Sequence, residues 1–111
     1  MGLELLSDDI FVSVVGGLDV PEPAADLGVA AALASSFRNK PLPPRTAIFG
    51  EVGLAGEVRS AGQSGLRIRE AAQMGFTRVI LPARNIPDDD LGLTLLGVGT
   101  LEEALAHLEL A

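Results

Sequence analysis

Cysteine is absent from the 111-residue chain, and so are tryptophan and tyrosine; there is one histidine and one lysine. Without cysteine there is no disulfide scaffold, thiolate zinc site, iron–sulfur cluster or cysteine nucleophile. A single histidine excludes a histidine-rich metal site. Four phenylalanines are the whole aromatic complement. Binders of single-stranded nucleic acid stack bases on several exposed rings, so four rings in a small domain are expected in the core. No apolar run approaches the roughly 20 residues of a membrane span. Met1-Gly2-Leu3-Glu4 lacks the basic start of a signal peptide, so a cytoplasmic protein without membrane partners is expected. What is present is one globular domain, residues 1–111: 48% of the residues are hydrophobic, 21% are charged, and the formal net charge is −7.

The charge is segregated along the chain. All eight basic residues, seven of them arginine, lie between Arg38 and Arg84. The segments on either side carry six acids each and no base. Such segregation fits an electrostatic partner; it equally fits pairing of the ends with the middle, within one fold or across a subunit interface.

Hydrophobic patterning predicts alternating strands and helices. Asp9–Val15 reads as a strand apolar on both faces, and Gly16-Gly17 as a hairpin turn returning through Leu18-Asp19-Val20. Pro21 and Pro23 introduce a helix from Ala24 to Phe37 with Leu27, Ala30, Ala31, Ala34 and Phe37 at helical spacing. Thr46–Val52 is expected as a second strand, turned at Gly53–Gly56 and leaving through Glu57-Val58-Arg59. A helix over 65–74 stops at Gly75. Strands follow at Thr77–Leu81 and Leu93–Val98, and Thr100 with Glu103 forms a capping box for a terminal helix. The order β-β-α-β-β-α-β-β-α implies an α/β domain, a mixed sheet with packed helices.

Generic chemical motifs are missing. Lys40 follows no glycine and precedes Pro41, so there is no P-loop. Gly50, Gly53 and Gly56 lack the dinucleotide spacing and open no helix. Asp88-Asp89-Asp90 reads as a solvated run, and Glu103 with His107 supplies only two ligands. Ser35, Ser36, Ser60 and Ser64 have no evident base beside them. No cofactor and no metal is called for.

One stretch is not anonymous. Phe49-Gly50-Glu51-Val52-Gly53-Leu54-Ala55-Gly56-Glu57-Val58-Arg59 resembles the hairpin of Lon-type protease domains. Together with FVSVVGG (11–17), AADL (24–27), SSFRNKPLP (35–43), RIREAAQMGF (67–76) and ILPARNIP (80–87), it resembles the Lon-like C-terminal domain of the RadA (Sms) family of bacterial DNA repair proteins, over residues 9–110. The resemblance implies a ribosomal protein S5 domain 2-like α/β fold. It also implies where a Ser-Lys dyad would sit. Lon-type proteases carry their serine in Gly-Pro-Ser-Ala-Gly; the matching stretch here is Glu22-Pro23-Ala24-Ala25-Asp26, which puts Ala24 at the nucleophile. Their lysine stands near the start of the second helix, where this chain has Arg67 and Arg69. Arginine stays protonated and cannot serve as a base, so no catalytic residue is expected and a peptidase is the disfavoured alternative.

The resemblance further implies a ring-forming ATPase acting on recombination intermediates in branch migration, with zinc-binding and ATPase portions that have no motif in this chain. The Lon-like part is credited there with holding a hexameric ring together and contacting duplex DNA. A homo-oligomerisation scaffold is therefore the first expectation. Duplex contact is the second, with Arg59, Arg67 and Arg69 as the candidate DNA-binding residues among Arg45, Arg78 and Arg84. The net charge of −7 weighs against the second.

Overall fold

The computed structural model describes residues 23–110. The strands expected at Asp9–Val15 and Leu18–Val20, and the Gly16-Gly17 turn, lie outside the described residues. The rest forms a mixed α/β structure with a parallel sheet and packed helices, as expected. Helix α1 spans Asp26–Arg38, after a 3-10 turn at Pro23–Ala25. Strands β1 (Thr46–Ile48), β2 (Glu51–Val52) and β3 (Val58–Arg59) precede helix α2 (Ser64–Gln73). Strand β4 (Arg78–Pro82), strand β5 (Thr94–Val98) and helix α3 (Leu101–His107) complete it.

The sheet has the order β1-β4-β5, all parallel, with Ile48 beside Ile80 and Ile80 beside Leu96. Central β4 is apolar and buried from Val79 to Pro82, as a strand covered on both faces must be. Side chains alternate across it. Ile80 joins Leu27, Ala31, Ile48, Val98, Ala104 and Leu108, the core beneath α1 and α3. Val79 and Leu81 join Ala47, Phe49, Ile68, Ala71 and Leu93, the core on the α2 side. The result is three layers, with one strand feeding two cores.

The single strand expected at Thr46–Val52 is two. Phe49 still donates its N–H to Ile80 O at 3.0 Å, but Gly50 turns the chain away with φ 154°. Glu51 and Val52 then pair antiparallel with Arg59 and Val58, the hairpin that the glycines at 53 and 56 predict.

The buried face of α1 also differs from the expected one. Leu27, Gly28, Ala31, Ala32 and Ser35 face the core, whereas Phe37 is 89% exposed, on one stripe with Val29 and Leu33. Only small residues let the helix backbone come this close to the sheet, and a phenyl ring on that face would hold it off. An alanine-rich helix has too little contrast between faces for periodicity to reveal this. Phe49 is buried as expected, and Phe76 is half-buried.

Other boundaries hold to within a residue or two. Gly75, φ 90°, follows α2. The Thr100–Glu103 capping box is formed: Glu103 N–H donates to Thr100 Oγ1 at 3.1 Å, and Thr100 N–H to Glu103 Oε1 at 3.1 Å. No helix among the described residues is long and apolar enough to cross a membrane.

Candidate functional site

The position implied for a nucleophile lies where three elements meet. Ala24 sits in the 3-10 turn that opens α1 and is 3% exposed. Its carbonyl accepts Gly50 N–H at 2.8 Å, and Gly50 O accepts Leu27 N–H at 2.9 Å. Two residues on, Asp26 stands in place of a glycine, and its Oδ2 accepts Val52 N–H at 3.2 Å. The start of α1 is thereby pinned to the junction between β1 and the hairpin by backbone bonds, with a methyl group at the centre.

The position implied for a lysine base carries Arg67, in the first turn of α2. Its Nε donates to Gly62 O at 2.9 Å, and its guanidinium lies over the Phe49 ring, 6.0 Å from the centroid. Arg67 is only 8% exposed. Its cation holds the loop before α2 against the aromatic floor of the core.

The one lysine is elsewhere. Lys40 Nζ donates to Glu109 O at 3.3 Å. The buried Ser35 hydroxyl donates to Lys40 O, and Lys40 N–H to Ser35 O at 3.0 Å. This closes α1 beside the left-handed Asn39 (φ 54°). The neighbouring serine and lysine are thus engaged with backbone at a helix end, not with each other.

The three arginines proposed for DNA do not form one exposed cluster. Arg67 is withdrawn into the fold, a placement sequence could not reveal, because burial of a cation depends on which acceptor and ring lie nearby. Arg59 is exposed on β3 but shared between two carboxylates, Glu57 at 2.8 Å and Glu51 at 3.5 Å. The Arg59 hydrogen bond holds the Glu57 carboxyl below its ordinary range, and Glu57 in turn raises the Arg59 pKa. Arg69 is exposed on α2. The companion of Arg59 is instead Arg84, in a 3-10 turn at Ala83–Asn85. The two line one groove of about 440 Å³ with Ser60 and Gly99. Asn85 Oδ1 accepts Ala61 N–H at 2.8 Å and fixes that turn, while Arg84 makes no side-chain hydrogen bond or ion pair with the described residues.

Truncating Arg67 is therefore expected to act on stability. Arg67→Ala should lose about 1–3 kcal/mol, the range for removing a charged partner of a buried acceptor. Arg69→Ala should stay within roughly 0.5 kcal/mol. Urea denaturation followed by far-ultraviolet circular dichroism separates the two; equal midpoints would mean that Arg67 has no structural role.

The Lon protease (S16) C-terminal proteolytic domain family matches residues 5–95. The chain belongs to this family. Within it, the resemblance to RadA stands. The Lon-type chain is 47% identical over 95% of its length to the DNA repair protein RadA of Escherichia coli, 49% over 97% to that of Haemophilus influenzae, and 42% over 95% to that of Bacillus subtilis. It spans about a quarter of those relatives' length, 23–24%.

Proposed function

We propose that this Lon-type chain is a non-catalytic domain of a RadA-type DNA repair protein, working in the cytoplasm as the scaffold that assembles its ring. The observation that carries this reading is the paired loss at the dyad positions. A buried methyl group at Ala24 and a guanidinium committed to Phe49 and Gly62 leave no activated nucleophile. Supplying the hydroxyl alone should not repair this. Ala24→Ser is expected to leave unfolded casein uncut, because no neutral amine stands beside it; cleavage by the wild type, or by this variant, would return the chain to the peptidases.

A secondary contact with duplex DNA during branch migration is supported by the Arg59–Arg84 groove, where one guanidinium has no intramolecular partner. Two arginines can neutralise phosphates without reading bases. Repetition around a ring would add avidity to a contact that is weak in one copy.

Sedimentation velocity on the chain, alone and with a short duplex at low salt, tests both roles. Assembly without DNA is the expected result for the scaffold, and a chain that stays monomeric at every concentration overturns it. A salt-sensitive shift with duplex is the expected result for the second role. Arg84→Glu should abolish that shift; an unchanged shift and salt slope would place the contact elsewhere.

A further inference from the structure

The hairpin ends in a side chain with nothing to touch. Leu54 is fully exposed at its tip, and the tip is rigid. Gly53 N–H donates to Glu57 O at 2.8 Å, Gly56 N–H to Gly53 O at 3.0 Å, and Ala55 N–H to Glu57 Oε1 at 3.1 Å. The Glu57 carboxylate that closes this turn also holds Arg59. A flexible loop could fold its leucine back onto the protein; this one is braced so that it cannot.

Elsewhere on the same surface lies a hollow of about 190 Å³, walled by Gly65, Ile68, Pro87 and Leu91 and rimmed by Arg69 and Asp89. A cavity of about 150 Å³ accepts a benzene ring, so the hollow has room for a leucine side chain. The charges correspond as well. Glu51, Glu57 and Arg59 flank the leucine, and the rim offers one charge of each sign. Arg69 makes no side-chain hydrogen bond or ion pair with the described residues. Asp89 uses one oxygen on Leu91 N–H at 3.0 Å.

We infer that the occupant of the hollow is Leu54 of a second copy of this chain. Knob and hollow are different parts of one surface, so the contact is heterologous: each copy offers a knob to one neighbour and a hollow to the other, and the contact repeats until a ring closes. The inference rests on the scaffold reading and gives that scaffold its residues. The apolar stripe Val29–Leu33–Phe37 on α1 is the other candidate face, but it has neither a matching hollow nor flanking charges of both signs to say what covers it.

Two single variants and their mixture test it. Leu54→Asp removes the knob at a fully exposed position. Gly65→Glu puts a carboxylate on the wall of the hollow, where an added Cβ meets only Arg69 Nη1 at 3.7 Å and an acid suits the start of a helix. Sedimentation velocity with interference optics suits a chain lacking tyrosine and tryptophan. The wild type is expected to assemble. Each variant alone should associate at least roughly tenfold more weakly, since burying one leucine side chain shifts an equilibrium by that factor or more. Their equimolar mixture should regain association but stop at a dimer, because only one intact knob–hollow pair remains. Wild-type-like assembly of Leu54→Asp, or a mixture that stays monomeric while the wild type assembles, overturns the contact and leaves the scaffold standing; loss of assembly in Phe37→Asp would then move the interface to α1. A wild type that never assembles overturns both.

Discussion

Ile80→Ala is expected to destabilise the domain by about 2–5 kcal/mol, the cost of deleting a large aliphatic side chain from a packed interior. Ile80 is wholly buried at the centre of β4 and meets α1, α3, β1 and β5 in one core. A domain of this size has only about 5–15 kcal/mol of net stability, so the loss is a large fraction of the whole. Because β4 feeds the other core through Val79 and Leu81, the cavity cannot close by shifting the strand without opening a second one. Urea denaturation followed by circular dichroism should show a large fall in midpoint at unchanged slope. A loss below about 1 kcal/mol would mean that the layer beneath α1 and α3 collapses freely, contrary to the packing described.

Gly50→Ala is expected to cost about 2–4 kcal/mol, combining backbone strain with overpacking. With φ 154°, the residue holds a conformation that side chains rarely adopt, and an added Cβ would lie 3.1 Å from Val58 Cγ1 and 3.3 Å from both Leu27 Cδ2 and Pro82 Cγ. Its N–H and C=O both tie the start of α1 to the sheet. The variant should therefore loosen α1 and the hairpin together, read as faster amide exchange at Leu27 and Val52 relative to the core of β4. Stability within about 0.5 kcal/mol of the wild type, with unchanged exchange, would show that the junction tolerates a side chain and that Gly50 is not what divides the strand.

The strand–helix order from Thr46 onward was legible because its signals are local. Glycines at 53 and 56 turn a hairpin, Gly75 ends a helix, and Thr100 with Glu103 starts one. The residues at the dyad positions were legible too, since the loss of a nucleophile and of a lysine is a matter of residue identity. Other features were not. Nothing local distinguishes Arg67, which lies beneath a ring, from Arg69, which faces solvent, although the two stand two residues apart on one helix. The neighbourhood of Arg59 and Arg84 was equally hidden, because a sheet and a turn bring together residues that the chain keeps far apart.

The amino-acid sequence by itself determined the α/β class, the membership in the Lon-type family close to RadA, the missing dyad and the segregation of charge. These depend on residue type and short-range spacing, which the chain carries before it folds. Only the tertiary structure decided which face of α1 is buried, where β1 gives way to the hairpin, which arginine is a core brace and which remains unpaired, and that an exposed leucine shares its surface with a hollow of suitable size. Each of these depends on what the fold sets beside a residue, and burial, charge pairing and packing are properties of that neighbourhood.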